Sequence, residues 1–367
     1  MRKGGLGAFF FAALALLSPV DAQAPRPETG VTAVPLGLPP LPIPPASPAL
    51  IALGRALFFD TRLSANDTMS CGLCHLPEDG YSENQTARAV GIYGATLKRH
   101  PPSLYNVVYQ TLLFWDGRET ALETQIFSPL LAADEMGMPS AGFLLARIDS
   151  IPAYHEAFRI IFGAPPSLDR LGAAIAAFER SLLCGNSPFD RWFYGHDPRA
   201  LDAAAIRGFT VFTGKGGCSA CHRVGRDDAL FTDGALHDTG LAYAERQRAA
   251  RERPGAMVVL GGGLESRIDP VALGIGVRDS ADLGRFAITH DPRDRDAFKT
   301  PSLRDVAELA PYMHDGSLPD LAAVIDFYDR GGGGSPTQDR RIFPRHFTPG
   351  EKADLLAFLA ALSCAPR

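Results

Sequence analysis

The pattern Cys-x-x-Cys-His occurs twice, as Cys71-Gly72-Leu73-Cys74-His75 and as Cys218-Ser219-Ala220-Cys221-His222. This spacing is typical of covalent attachment of a c-type haem, because two thiols one helical turn apart can add to the two vinyl groups and the next histidine can ligate the iron. A zinc site would need two further ligands nearby, and a thiol redox pair would not need the histidine. Two such motifs in a chain with only six cysteines predict two covalent haems. The expected attachment residues and iron ligands are Cys71, Cys74, His75, Cys218, Cys221 and His222.

The length and charge of the chain limit the remaining possibilities. A chain of 367 residues, 46% of them hydrophobic, is long enough for two packed domains, which we expect to hold one haem each. The formal net charge of -5 gives no footprint for nucleic-acid binding.

Residues 1–24 have the pattern of a secretory signal peptide. Arg2 and Lys3 are followed by an apolar run from Ala8 to Leu17, and Ala22-Gln23-Ala24 is a cleavage site of the A-x-A type. A membrane anchor is the alternative, although the run is too short to span a bilayer comfortably. We expect a periplasmic protein with no membrane span after cleavage, and export agrees with c-type haem attachment, which bacteria perform outside the cytoplasm.

Residues 25–48 are rich in proline and predict an extended arm. Beyond it we expect an N-terminal haem domain over residues 49–195 and a C-terminal haem domain over 196–367. In each, a helix leads into the haem motif, which is a weak internal repeat. Strand signals are few, so the predicted fold is all-α, with two cytochrome c-like domains. The expected helices begin at Pro48 and cover 120–131, 141–148, 167–183, 202–213, 320–328 and 348–362, whereas 223–299 is expected to be irregular, with an insertion over 244–276.

Cys184 and Cys364 remain after the four haem thiols are counted. In an exported protein an even remainder suggests a disulfide. Two separate buried thiols are the alternative, and the sequence alone does not decide between them.

Several longer strings resemble the dihaem cytochrome c peroxidases and their MauG-like relatives, in the same order along the chain. They cover nearly everything from Pro48 to Leu362. The strings are Leu53-Gly54-Arg55-Ala56-Leu57-Phe58-Phe59-Asp60, Phe114-Trp115-Asp116-Gly117-Arg118, Glu135-Met136, Phe298-Lys299-Thr300-Pro301-Ser302-Leu303-Arg304 and Pro311-Tyr312-Met313-His314-Asp315-Gly316.

The resemblance implies a peroxidatic haem in the N-terminal domain and an electron-transfer haem in the C-terminal domain. It places Trp115 between the haems, and Gln125, Pro129 and Glu135 over the first haem. Glu135 is then the general acid–base that moves a proton from the iron-proximal oxygen of hydrogen peroxide to the leaving oxygen. His314 is expected to be structural or to contact a haem propionate, not to ligate iron.

Two departures from the peroxidase pattern concern the distal loop and the calcium site. Gly91-Ile92-Tyr93-Gly94 stands where typical peroxidases have a distal histidine. His100 stands where the family usually has an asparagine that helps to bind a calcium ion between the domains. The other protein ligands of that calcium would be the backbone carbonyls of Leu309 and Pro311. Because calcium prefers oxygen ligands, His100 weakens the calcium prediction.

A third departure is Tyr328, which matches the methionine that is the sixth ligand of the second haem in the peroxidases and a tyrosine in MauG-like proteins. Met257 and Met313 are rival ligands, and a tyrosine packed at the haem edge is the structural alternative. We therefore expect a MauG-like oxidase that uses hydrogen peroxide and oxidises a protein substrate or a small redox protein, either a cytochrome c or a cupredoxin. The alternatives are an ordinary cytochrome c peroxidase and a non-catalytic dihaem electron carrier.

Overall fold

The computed structural model describes residues 33–252, 256–260, 264–268 and 282–364. The predicted signal peptide lies outside these ranges, as do the start of the arm and parts of the predicted insertion. The α-helices in chain order are α1 (Pro48–Phe58), α2 (Cys71–Cys74), α3 (Leu122–Gln125), α4 (Phe127–Leu131), α5 (Ala141–Asp149), α6 (Pro152–Phe162), α7 (Leu168–Arg180), α8 (Pro188–Phe193), α9 (Ala203–Thr213), α10 (Leu241–Glu252), α11 (Phe286–Thr289), α12 (Leu321–Asp329) and α13 (Pro349–Ala360). The strands are β1 (Leu236–Asp238), β2 (Ala256–Leu260), β3 (Leu264–Ile268) and β4 (Ala297–Lys299).

Most of the predicted helices are confirmed, and their ends have local causes. Ser167 and Asp202 cap α7 and α9 by accepting hydrogen bonds from backbone amides of the first turn. The predicted capping box of the last helix is present: Thr348 accepts from the Glu351 amide at 3.2 Å, and Glu351 accepts from the Thr348 amide at 2.7 Å. The sequence analysis did not identify α6.

The description of 223–299 as irregular was wrong in part, because this stretch contains α10 and all four strands. The start of the predicted insertion is helical through Glu252, and the alanine, glutamate, glutamine and arginine residues of α10 are good helix formers. The strands form two short antiparallel pairs, β1 with β4 and β2 with β3, so the fold is helical with small strand additions. The pairing of β1 with β4 joins distant parts of the chain, which a search for local alternation does not detect.

Two pairs of crossing helices form the frame, α1 against α7 and α9 against α13. Each crossing has a glycine at the contact. A Cβ atom on Gly54 would lie 1.8 Å from the carbonyl oxygen of Ala174, and one on Gly208 would lie 1.9 Å from that of Asp354. Any larger residue would force the helices apart, so both crossings depend on the missing side chain. The helix-then-haem repeat in the sequence therefore corresponds to a repeated packing unit.

A second repeated unit lies between the two helices of each crossing pair. Asn106 and Asp305 both have left-handed backbone conformations, and each is followed by a short 3₁₀ turn. The Asn106 side chain accepts a hydrogen bond from the Cys184 amide at 2.9 Å, and the Asp305 side chain accepts one from the Cys364 amide at 3.1 Å. Cys184 and Cys364 form a disulfide, which settles the alternative left open by the sequence and covalently joins the two repeats.

Hydrophobic side chains form two main buried clusters. One lies among residues 53–182 and includes Phe58, Phe178, Met136 and Met138. The other lies among residues 189–362 and is centred on phenylalanines such as Phe358. Burial of one such aromatic side chain contributes about 1.5–3 kcal/mol. Met136 and Met138 are therefore core residues. The second cluster already includes Phe189, and the domain boundary near residue 195 stays a prediction.

Candidate active site

The first Cys-x-x-Cys-His motif forms the one-turn helix α2, and His75 follows its last residue. The Nδ1 atom of His75 is 2.9 Å from the carbonyl oxygen of Tyr81, a residue with a positive φ angle of 55°. This bond fixes the tautomer with the proton on Nδ1 and leaves Nε2 for a metal. Burial lowers the pKa of His75 to about 4, so the imidazole is neutral at pH 7, as iron ligation requires.

The second motif is arranged in the same way. The Nδ1 atom of His222 is 2.9 Å from the carbonyl oxygen of Phe231, which also has a positive φ angle, of 52°. Burial lowers the pKa of His222 as well. The four motif cysteines form no disulfide. Each motif therefore offers two thiols and one neutral imidazole with a free Nε2, which is the donor set of a covalent c-type haem.

Glu135 lies in a tight loop that follows α4. The Met136 amide donates to the Pro129 carbonyl at 3.1 Å, and the Gly137 amide donates to the Ala132 carbonyl at 2.8 Å. Burial raises the pKa of Glu135, although Arg118 acts in the opposite direction. Glu135 in turn adds to the effect of burial in raising the pKa of the Cys74 thiol, so its carboxyl group lies close to the first motif. Such a carboxyl group is suited to exchanging protons there.

The loop expected to replace a distal histidine packs directly on this segment. The Ile92 amide donates to the Glu135 carbonyl at 2.8 Å, and a Cβ on Gly91 would lie 1.8 Å from the Asp134 carbonyl oxygen. Tyr93 is 82% exposed, so its side chain points to solvent. The loop therefore presents no imidazole beside Glu135.

Gln125 and Pro129 stand on the consecutive helices α3 and α4, and both are half-buried. The Gln125 amide makes no side-chain hydrogen bond within the described ranges. The Pro129 carbonyl holds the Glu135 loop through the Met136 amide. These contacts place Pro129 and Glu135 together, as the resemblance implies, while the role of Gln125 stays a prediction.

Trp115 lies where the two halves of the chain meet. Its Nε1 donates to the His100 carbonyl at 2.8 Å, and its own carbonyl accepts from the Lys299 amide at 2.7 Å. The His100 amide in turn donates to the His314 carbonyl at 2.8 Å. The same number of positions separates His100 from Lys299 and Trp115 from His314, so the two backbone bonds join corresponding residues of the two repeats in a reciprocal way.

Tyr328 lies in α12 and is close to the second motif. Burial raises its pKa, and the nearby Cys218 and Cys221 thiols act in the same direction. Its hydroxyl has no hydrogen-bond partner in the part of the chain that is described. Of the rival ligands, Met313 lies in the loop before α12 with a φ angle of 76°, and Met257 lies in β2.

The position predicted to bind calcium does not fit that ion at His100. Its imidazole is buried, with Nε2 3.3 Å from the Ser82 hydroxyl and Nδ1 3.2 Å from the Ala87 carbonyl. Both ring nitrogens are therefore engaged within the protein, and neither is an oxygen donor. Calcium binding by the carbonyls of Leu309 and Pro311 stays a prediction, and His100 would not contribute a ligand to it.

Two charged groups near the site were missed by the sequence analysis. Lys299 is buried, its ammonium group donates to the Gln110 side chain and the Leu112 carbonyl, and burial lowers its pKa to about 8. Glu179 in α7 is buried near Cys71, and burial raises its pKa to about 8. Lys299 lies in a string already singled out, whereas nothing in the local sequence distinguishes Glu179 from a surface residue.

Comparison with known proteins identifies the family. The chain is 40% identical over 326 residues to methylamine utilization protein MauG of Methylorubrum extorquens, covering 88% of this chain and 80% of that protein. The chain belongs to the dihaem cytochrome c peroxidase/MauG family. The model of di-haem cytochrome c peroxidase matches residues 48–198. Cytochrome c551 peroxidase of Pseudomonas aeruginosa is 32% identical over 314 residues, covering 85% of this chain and 78% of that protein.

A solved structure supports the same assignment. A MauG-like protein associated with microbial copper homeostasis superposes with a TM-score of 0.72 at 32% identity, covering 90% of this chain and 95% of that one. The chain is therefore a haem peroxidase-type oxidoreductase that acts on peroxide, with the helical fold of its family. Membership of the family implies two c-type haems, and the donor sets at His75 and His222 fit them.

Proposed function

We propose that the chain is an exported MauG-like oxidase. In this proposal hydrogen peroxide reacts at the N-terminal haem, the oxidising equivalents are shared with the C-terminal haem, and a protein substrate or small redox protein supplies the electrons. No helix in the described ranges is long and apolar enough to span a membrane. The signal-peptide pattern of residues 1–24 is what supports a periplasmic location.

The environment of Tyr328 is the observation that carries the proposal. The same number of positions separates Asn106 from Asp305 and Pro129 from Tyr328, so Tyr328 is the counterpart of the residue expected over the first haem. It is half-buried beside Cys218 and Cys221, and its hydroxyl makes no hydrogen bond to the described residues. A phenolate ligand stabilises oxidised iron, whereas the methionine of ordinary peroxidases raises the potential.

Glu135 supplies the proton transfer. The haem supplies an iron centre at which the O–O bond of peroxide is cleaved. The Glu135 carboxylate accepts the proton from the iron-proximal oxygen and gives it to the distal oxygen, which leaves as water. A raised pKa suits this exchange, because the group must both accept and release a proton near neutral pH. Gln125 is proposed to orient the peroxide.

Trp115 is proposed to connect the two haem sites electronically. It hydrogen-bonds to both Lys299 in the C-terminal half and His100, and His100 is bonded to His314. An aromatic ring fixed at both its indole nitrogen and its backbone is a rigid bridge. The relatives include proteins named MauG and proteins named cytochrome c peroxidase. Both a protein substrate and a small redox protein are therefore candidate electron donors.

The decisive test is the spectrum of the ferric two-haem protein with Tyr328→Phe. We expect the substitution to change only the second haem, which becomes five-coordinate or binds water. Tyr312→Phe is the matched control, because the Tyr312 hydroxyl already donates to the Val306 carbonyl at 2.8 Å. An unchanged second-haem spectrum in Tyr328→Phe would show that Tyr328 is not a ligand.

A second measurement separates the three candidate functions. The fully ferric wild-type protein should show one high-spin haem and react with peroxide without prior reduction. A requirement for reductive priming would indicate an ordinary cytochrome c peroxidase. Two low-spin haems that are inert to peroxide would indicate an electron carrier. Intact mass of the exported protein should also show two haems and a start near residues 23–26.

A further inference from the structure

Three potential ligand groups meet beside the junction of the two halves, outside the proposed active site. Glu245 comes from α10, and His314 and Asp315 come from the loop that precedes α12. One ligand atom from each residue lies within 4.8 Å of those of the other two. His314 and Asp315 are 4% and 2% exposed, so the cluster is largely closed to solvent.

Two polar atoms of this cluster have no hydrogen-bond partner in the described part of the chain. They are Nε2 of His314 and Oδ2 of Asp315. The His314 ring is held in place, because it stacks on Phe298 with 3.8 Å between ring centroids. Leaving a buried donor or acceptor unsatisfied is costly, and buried polar atoms in proteins nearly always have a partner. A partner that the chain itself does not supply would remove this cost.

The related carboxylate in the first repeat shows what Asp315 lacks. Asp116 is the counterpart of Asp315, and its carboxylate is bound by Arg99 at 2.6 Å and Arg118 at 3.0 Å. The arginine nearest to Asp315 is Arg88, at 3.8 Å, which is too far for a hydrogen bond. The first repeat therefore binds this carboxylate with two arginines at hydrogen-bond distance, whereas the second has one more distant arginine.

A second carboxyl group stands beside Asp315. Glu245 is half-buried, and its carboxyl group lies within 4.8 Å of the ligand atoms of Asp315 and His314. Arg248 lies 3.9 Å from Glu245 on the exposed side of α10. Arg88 and Arg248 are thus exposed arginines at ion-pair distance on the rim of the cluster, and neither is within hydrogen-bond distance of its carboxyl groups.

We propose that Glu245, His314 and Asp315 bind a divalent transition-metal ion of the zinc class. One imidazole nitrogen and two carboxylate oxygens suit Zn²⁺ or Mn²⁺, whereas calcium prefers an all-oxygen shell. Two other groups of possible ligands occur in the described residues. One contains Cys221, which is expected to hold a haem, and the other contains the disulfide of Cys184.

The location of this metal site gives it a structural role between the halves. The His314 carbonyl accepts from the His100 amide, and the His100 carbonyl accepts from Trp115. A metal on the His314 ring would therefore fix the loop that supports the Trp115 side chain, and would tie α10 to that loop. The site is distinct from the calcium position, whose side-chain residue is His100.

Isothermal titration calorimetry tests the proposal on the protein with both haems attached. The protein is stripped with EDTA, desalted and titrated with ZnCl₂ and, separately, with CaCl₂. We expect one saturable zinc site and much weaker calcium binding. Glu245→Gln and Asp315→Asn should each weaken zinc binding at least about 100-fold, since changes even to residues that only support ligands cost 10–100-fold. Glu156→Gln, which removes an exposed carboxylate on α6, should leave binding unchanged.

Two outcomes would contradict the proposed metal site. One is the absence of one-site zinc binding to the wild-type protein, and the other is zinc binding that is unchanged in Glu245→Gln. A haem propionate that occupies the His314 nitrogen would give the first of these results. Glu245→Gln keeps the size of the side chain, and its intact two-haem absorption spectrum would show that it is folded. Electron paramagnetic resonance gives an independent readout of the same site. The signal of free Mn²⁺ should fall when the protein is added and return when ZnCl₂ displaces the bound Mn²⁺.

Discussion

The two haem-binding halves share one frame on the proximal side and differ on the opposite side. In both, a glycine allows two helices to cross, and a carbonyl from a residue with positive φ orients the motif histidine. The residues that we propose for the distal sides differ: Pro129 with the Glu135 loop in the first half, and Tyr328 in the second. In this proposal the repeated frame fixes haem attachment, and these few residues determine which haem meets peroxide.

The halves also differ in how they are anchored. Arg304 is 1% exposed, and its guanidinium group forms a buried ion pair with Asp190. It also donates to the Ala229 carbonyl at 2.6 Å and to the Gly37 carbonyl of the arm at 2.8 Å. Tyr105 is its counterpart in the first half and packs edge-on against Tyr81. The second half therefore depends on a buried charge where the first uses aromatic contacts.

The largest expected effect comes from removing one attachment site. Cys218→Ala with Cys221→Ala should give an exported protein with one covalent haem and a poorly folded C-terminal half, because a haem would fill part of the core around Phe358. Intact mass and absorption spectra measure both effects. Cys71→Ala with Cys74→Ala is the matched variant and should lose the other haem. Retention of two covalent haems in either double variant would contradict the attachment assignment.

Glu135→Gln tests the chemical difference between the halves. The substitution keeps the shape of the side chain but removes the carboxylate that accepts the proton. Since general acid–base catalysis contributes about 10²–10⁴-fold, the rate constant for reaction with peroxide should fall by that factor. Stopped-flow absorption of the ferric protein measures it, and the resting spectra should change little.

Glu156→Gln is the control for this prediction, because Glu156 is an exposed glutamate on α6 that does not act on Glu135. It should leave the rate close to that of the wild type. Equal rates for Glu135→Gln and the wild type would remove Glu135 from the mechanism and, with it, the proposed asymmetry in proton transfer.

The sequence predicted most of the frame but little of the contacts between its parts. Local interactions, such as the capping box of Thr348 and Glu351 at the start of α13, could be predicted because both partners lie within one helical turn. The two haem motifs were readable because their spacing alone selects the chemistry. The bonds of Trp115 to His100 and Lys299 were not readable, because each joins residues that only the fold brings together. The approach of Glu245 to His314 and Asp315 likewise depends on α10, which was predicted to be irregular chain.

Arg304→Met should produce the next largest effect, on stability. Removing one partner of a buried ion pair leaves the other charge unpaired, so we expect a loss of about 3–5 kcal/mol in the free energy of unfolding. Denaturant unfolding followed by circular dichroism measures this loss. Arg293→Met is the control, because Arg293 pairs with Asp291 on the surface and should change stability little. A small effect of Arg304→Met would show that the buried pair does not anchor the second half.

The smallest expected effect tests whether the two helix crossings are equivalent. Gly54→Ala and Gly208→Ala would each place a Cβ within 2 Å of a carbonyl oxygen of the partner helix, at Ala174 and Asp354 respectively. Overpacking of this kind typically costs about 1–3 kcal/mol, and we expect the two losses to be similar. Gly142→Ala in α5 is the control. A Cβ there meets only the Ser140 hydroxyl at 3.9 Å, so the gain in helix propensity should leave stability unchanged or slightly higher. Thermal unfolding followed at a haem absorption band and by circular dichroism measures all three. A loss of stability in Gly54→Ala without one in Gly208→Ala would mean that α9 and α13 can move apart to accept the extra methyl group and that α1 and α7 cannot. The two crossings would then have similar geometry but different tolerance to a larger residue.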